Sequence, residues 1–160
     1  MTSKTSTEQL IKQVGFAFVA QIALTSIHHV YGGLVYNSAM RMSISMVAGL
    51  ELLIVLGFLF IYWRTRSGAA LTLFSVVAAL VGIVQGLFHT LYGHIYKDML
   101  FLVGVSADDV RKFFLPVMPN DFIYPPNDLF FELTGVLELV TIYFIVLFTF
   151  RLIRDWQSRR

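Results

Sequence analysis

The sequence predicts an all-α, polytopic membrane protein: four transmembrane helices arranged as two tandem hairpin repeats. Three observations carry this prediction. Of 160 residues, 57% are hydrophobic and only 14% are charged, against about 25% charged in a typical soluble domain. Four segments reach the roughly 20 mostly apolar residues that a membrane helix needs. One pattern also occurs twice. His28-His29-Val30-Tyr31-Gly32 is followed by Leu50-Glu51-Leu52, and His89-Thr90-Leu91-Tyr92-Gly93 by Leu137-Glu138-Leu139.

The first span covers about 13–36. Ahead of it, Thr5-Ser6-Thr7-Glu8 fits a capping box, so the helix is expected to begin in water. Lys4 and Lys12 before an apolar run also suit a signal peptide. Cleavage near residues 20–23 would strip the first histidine motif of its helix while its repeat partner kept one, so the segment is read as a span. The second span, about 42–63, follows a short loop near Asn37 to Arg41, which predicts an antiparallel hairpin.

The third span covers about 69–96 and the fourth about 129–150. Between them runs an outer loop, about 97–127. Ser106-Ala107-Asp108-Asp109 reads as a capped helix start continued by Val110 to Leu115. Pro116, Pro119, Pro125 and Pro126 then break it, which predicts a short interfacial helix and an extended return. Residues 1–160 are read as one transmembrane bundle, with repeat 1 at about 13–66, repeat 2 at about 69–154, and the outer loop inserted in the second. Each repeat has an even number of spans, so a pseudo-two-fold along the membrane normal is expected.

Lys4, Lys12, Arg64, Arg66, Arg151, Arg154, Arg159 and Arg160 lie on one side of these spans, and Arg41, Lys97, Arg111 and Lys112 on the other. The positive-inside rule then places both termini in the cytoplasm, with a cell (inner) membrane as the expected location. The formal charge of +2 is read as an orientation signal and not as a nucleic-acid footprint. With no cysteine present, disulfides, thiolate catalysis and iron–sulfur clusters are excluded. No P-loop, G-x-G-x-x-G after a strand, H-E-x-x-H or serine nucleophile elbow occurs.

The polar residues inside the spans are the functional candidates, because ionisable groups in a membrane are costly and usually have a task. At 1.5 Å per residue, His28, Glu51, His89 and Glu138 each fall roughly 12–13 Å from the outer face, one per helix, which predicts a single layer. Gln21, Thr25, His28 and Gly32 share a face at α-helical spacing, as do Gln85, His89, Tyr92 and Tyr96. Ala48 beside Glu51 and Gly135 beside Glu138 leave room for close helix approach. Both glutamates must be neutralised by a proton, paired with a histidine, or bound to a cation.

The leading reading is a metal ion or b-type haem cofactor supporting redox chemistry. His28, Glu51, His89 and Glu138 are the candidate metal ligands. His28, His29 and His89 are the candidate cofactor-binding residues, with Gly32 and Gly93 leaving room for a ring. The alternative is an acid–base isomerase or cyclase acting on a sterol-, isoprenoid- or lipid-like molecule. Its catalytic candidates are Glu51, Glu138, Tyr31 and Tyr92. The third reading is a non-catalytic subunit whose polar layer only fixes helix register. Expected partners are the lipid bilayer, a hydrophobic small molecule and a second copy of the chain. The apolar run from Leu71 to Val81 is a candidate lipid or oligomer face. His94 is read as a surface residue or outer ligand, and Glu132 as an acid that snorkels to water or completes the site from the outer side, the first being favoured.

Overall fold

A computed structural model describes residues 6–114 and 123–159 of the chain. It contains five helices: α1 (Thr7–Val35), α2 (Ala39–Thr65), α3 (Gly68–Leu102), α4 (Ala107–Phe113) and α5 (Leu129–Gln157). All but α4 are long and apolar enough to cross a membrane, and no strand occurs among the described residues.

Short polar side chains start every helix, because the first backbone N–H groups have no partner within the helix. Ser6 caps α1 by accepting from the Gln9 N–H at 3.2 Å, one residue later than the Thr5-to-Glu8 capping box predicted. Thr5 itself lies outside the described residues. Ser38, Ser67, Ser106 and Asp128 cap α2, α3, α4 and α5 in the same way. The α1–α2 turn closes through Asn37 at φ +48°, and α2 ends on Arg66 at φ +54°, both left-handed.

Helix α1 packs on α2 and α5, and α3 packs on α2 and α5, so the four long helices form a closed ring. The inner half is apolar, with Val14, Phe18, Val55, Leu59, Phe74, Ile145 and Leu152 all buried. Leu71, Phe74, Ala78 and Val81 point into this core, so the run from 71 to 81 is not a bare lipid face: one side is core and the other, with Leu73, Val76 and Leu80, is exposed. The α1 and α5 ends are tied by the Thr7 hydroxyl donating to Asp155 at 2.6 Å.

The helices outrun the apolar windows. Helix α2 starts at Ala39, α3 continues to Leu102 and α5 to Gln157, because hydropathy marks the hydrocarbon slab while hydrogen bonding carries each helix past it. Helix α4 is the expected short helix in the outer loop and stops at Phe113. Ile123 to Asp128 then return without helix, as expected for the Pro125-Pro126 stretch. Leu115, Pro116 and Pro119 lie outside the described residues.

Helix α3 holds the main departure from expectation. Gly68–Val81 and Lys97–Leu102 are α-helical, but the 15 residues Gly82–Tyr96 form a π-helix. Such segments bond i to i+5 and mostly appear as single turns, frequently at functional sites. The wider turn changes which residues share a face. Gly86, Thr90 and His94 are the buried residues of this segment, with Gln85 and His89 beside them. The predicted α-helical stripe of Gln85, His89, Tyr92 and Tyr96 is therefore split. Tyr92 and Tyr96 stack on each other at 5.7 Å and turn away toward Phe114.

Candidate metal centre

The expected single layer resolves into two. The deeper one takes one side chain from each spanning helix: Gln21 of α1, Glu51 of α2, Gln85 of α3 and Glu138 of α5. Gln85 Nε2 donates to Glu51 Oε2 at 3.1 Å, and Gln21 Nε2 donates to Gln85 Oε1 at 2.8 Å and to Glu138 Oε2 at 3.2 Å. The Thr141 hydroxyl donates to Gln21 Oε1. Gln21 Nε2 also faces Thr25 Oγ1 at 3.0 Å, so three acceptors share its two protons. Twelve residues of α2 precede Glu51 and nine of α5 precede Glu138, and Gln85 and Gln21 join the two.

The layer on the side away from the chain termini is histidine. His28 and His29 come from α1, and His89 and His94 from the π-helical part of α3. Ring centroids of His28 lie 5.0 Å from His29, 5.1 Å from His89 and 4.8 Å from His94. His29 and His89 are 4.9 Å apart, as are His89 and His94. All four histidines of the chain meet in one place. His94, expected near the surface, is 4% exposed. Its ring lies flat on α5 at Gly135, where a Cβ would stand 2.6 Å from Nε2.

Helix α5 orients the first histidine. His28 Nδ1 lies 3.1 Å from the Phe131 carbonyl oxygen and 3.0 Å from Thr134 Oγ1, whose own proton goes to the Phe130 or Phe131 carbonyl. A carbonyl only accepts, so Nδ1 carries the proton and Nε2 presents its lone pair. Metal-binding imidazoles are commonly fixed in this manner. Phe131 also stacks on the His28 ring at 4.0 Å. His28 Nε2, His29 Nδ1 and His89 Nε2 are buried without a hydrogen-bond partner.

Two groups among the described residues could hold a metal ion. In the first, one ring nitrogen from each of His28, His29 and His89 lies within 4.8 Å of the others. Nitrogens sharing one ion at about 2.1 Å would stand roughly 3.4 Å apart, so small ring rotations would close the set. Glu138 Oε2 lies 3.7 Å from His89 Nε2, and its Oε1 is buried without a partner. The second group is His94, Asp98 and Glu132. It already surrounds a cation, because Lys97 Nζ lies 3.1 Å from Asp98 and 3.3 Å from Glu132.

That lysine belongs to a charged cap over the histidines. Glu132 does not snorkel: it is 7% exposed and accepts from His94 Nδ1 at 2.6 Å. Lys97 and Arg41, each 1% exposed, both pack on the Tyr124 ring, at 4.5 and 5.1 Å. Arg41 also lies over Tyr36 and Phe131. Burial, together with the Glu132 and Asp128 carboxylates, pushes the Tyr36 hydroxyl up to about 12. Burial pushes Tyr124 up as well, even beside Arg41.

Other expected site residues are engaged elsewhere. The Tyr31 hydroxyl donates to Asp128 at 2.8 Å, and that of Tyr92 to the Phe113 carbonyl at 2.5 Å. Glu51 reaches the histidines only through Gln85, Gln21 and Glu138. The haem expectation does not fit. The space beside Gly32 is filled by the Phe131 ring, 2.2 Å from where a Cβ would stand. His28 and His89 are also in edge contact, with no room for a macrocycle between them.

Sequence reasoning missed His94, Arg41 and Lys97 as inward groups. The two cations read as loop charges, and the position of His94 near the end of its span suits a surface residue as well as an outer ligand. Only a count of residues four and five apart on α3 would have found it. Comparison with family models, curated proteins and solved structures finds no match to this chain.

Proposed function

We propose that this protein is an integral membrane protein built around a buried metal ion, bound by His28, His29 and His89 with Glu138 as an acidic fourth ligand. One observation carries the reading: His28, His29 and His89 bring one ring nitrogen each within 4.8 Å of the others, and each of the three rings has a buried nitrogen without a hydrogen-bond partner. Lone pairs that converge in a dry interior are unfavourable unless a cation or proton lies between them. A donor set of three imidazoles and a carboxylate suits zinc, copper, iron or nickel over calcium or magnesium. Three histidines with Glu138 Oε2 standing 3.7 Å from His89 Nε2 also suit a site whose fourth position is open for chemistry until the carboxylate closes on it.

Second-sphere groups complete the reading. Phe131 and Thr134 fix the His28 tautomer, and His94 rests against His28 and His89 while Glu132 holds its far nitrogen. Glu51 is not a ligand in this proposal. We further infer that both termini are cytoplasmic and that the histidine layer lies toward the outer side. Arg41 and Lys97 are engaged in the buried cap, and Arg111 and Lys112 are each paired with an aspartate of α4, so the outer side is the poorer in cations, four against eight. The two-repeat reading is supported by the matching motifs, since α1 and α3 supply the histidines and α2 and α5 the glutamates.

The test is elemental mass spectrometry on detergent-purified protein prepared without chelator. Near-stoichiometric zinc, copper, iron or nickel is expected, falling several-fold in His28→Ala, His29→Ala and His89→Ala and unchanged in Tyr31→Phe. A folded, metal-free parent that takes up none of these metals on titration would overturn the reading. The hydrogen-bonded chain from Glu51 to Glu138 would then favour the acid–base alternative, with Glu51→Gln and Glu138→Gln as its diagnostic variants.

A further inference from the structure

Between α2 and α3 lies a cavity of about 310 Å³ that the metal reading does not use. Val47, Leu50 and Ile54 wall it from α2, and Val77, Leu80 and Val84 from α3. Val47, Leu50, Leu80 and Val84 are all more than half exposed, so the cavity opens toward lipid. Its only polar lining comes from Glu51 and Gln85. Gln85 satisfies Glu51 Oε2, but Glu51 Oε1 is buried with no hydrogen-bond partner.

A carboxyl oxygen in that state calls for one more hydrogen-bonding group. Lipid tails supply none. A water here would find too few partners, since ordered buried waters make about three hydrogen bonds each. The missing group is a single hydroxyl on an apolar body. The cavity is at the small end of the roughly 300–1,000 Å³ range of ligand pockets. It therefore takes a ring or a short branched chain, with the remainder lying in the bilayer.

We infer that this cavity binds a membrane-soluble alcohol or phenol, with the hydroxyl on Glu51 Oε1 and the hydrocarbon against the aliphatic walls. The occupant enters sideways from the bilayer. Its head then stands at one end of the chain Glu51–Gln85–Gln21–Glu138, whose other end is 3.7 Å from His89. The two middle members are amides, so the chain conveys orientation and polarisation and not protons. The inference stands independently of the metal: a filled cavity leaves the histidines untouched, and loss of metal leaves the cavity.

The experiment is photolabelling in nanodiscs with a diazirine analogue of farnesol, competed by farnesol, farnesyl methyl ether or decylhydroquinone. Labels are expected on the peptides carrying 47–54 and 77–85, with farnesol or decylhydroquinone competing at least tenfold better than the ether. The stronger competitor identifies a prenyl alcohol or a hydroquinone as the source chemistry. Val84→Trp should abolish the label by filling the cavity. Glu51→Leu should keep the label and erase the preference for a hydroxyl. Metal content of both variants should equal that of the parent, which separates failure here from failure of the metal site. Equal competition by alcohol and ether in the parent, or labels spread evenly over the lipid-facing sides of α1 and α5, would overturn the inference.

Discussion

Two glycine-to-alanine changes of identical chemistry should have opposite effects. At Gly135 a Cβ would stand 2.6 Å from His94 Nε2 and 2.7 Å from its Cδ2 and Cε1. Ordinary contact is about 3.5–4.0 Å, so the imidazole must retreat by roughly 1 Å. It has nowhere to go, with Glu132 holding Nδ1 at 2.6 Å and the His28 and His89 rings 4.8 and 4.9 Å away. Overpacking of this kind costs about 1–3 kcal/mol. At Gly57 nothing lies within 4 Å of the added carbon, and alanine should stabilise the helix by about 0.5–1 kcal/mol. Thermal unfolding in detergent reads both, at roughly 2–4 °C per kcal/mol for a chain of this size. Gly135→Ala should also weaken metal binding, because the ring it displaces touches two proposed ligands. A Gly135→Ala protein as stable as the parent would refute the position of His94 against α5.

Lys97→Met should destabilise by about 3–5 kcal/mol, since it leaves Glu132 and Asp98 facing each other in the cap without their cation; chemical denaturation of the single variant and of Lys97→Met/Glu132→Gln should show the second change recovering part of the loss. Tyr31→Phe removes the 2.8 Å bond to Asp128 and should lower the unfolding temperature slightly, with metal content unchanged by elemental analysis. Thr134→Val should reduce metal affinity roughly 10–100-fold by loosening His28, measured by competition with a chromophoric chelator. Helix α4 should fray in acid. Lys112 and Ser106 hold the Asp109 carboxyl below its usual range, so its contribution is present above the unfolded value and lost as pH falls through the lowered one. The protection of amides 110–113 from hydrogen exchange, taken relative to the intrinsic rate at each pH, should therefore fall in acid and stay constant through neutral pH.

The sequence was explicit about what hydrophobicity controls. Four long apolar helices, a short first hairpin and the Ser106 cap all follow from apolar run lengths and local cap chemistry, which act within a few residues. It was silent where tertiary contacts decide. Arg41 and Lys97 read as ordinary loop cations because nothing local reveals that Tyr124, some 27 residues beyond Lys97, covers them. Tyr31 and Tyr92 looked like site residues because they follow the histidines in both motifs, yet their hydroxyls serve the outer loop. That Glu51 meets Gln85 and not a histidine follows from how the helices pack, which hydropathy does not reveal. The burial of His94 was hidden because its place near the end of the third span points equally to the surface, and because no local signal marks the π-helical stretch that turns it inward.

That last point has a genetic side. Gln85 and His94 are nine residues apart. On an α-helix, at 3.6 residues per turn, they would point in opposite directions; in the wider π-helical stretch both face the bundle interior. Residue number, and not only residue identity, therefore encodes the fourth histidine. Apart from the ligand His89, point substitutions between 87 and 93 should be tolerated in proportion to their size. A single-residue deletion there should act as an all-or-none lesion, because it lets the segment tighten and swings everything beyond it around the helix axis. Related chains should accordingly hold His89 and the length of this stretch constant while its other letters vary.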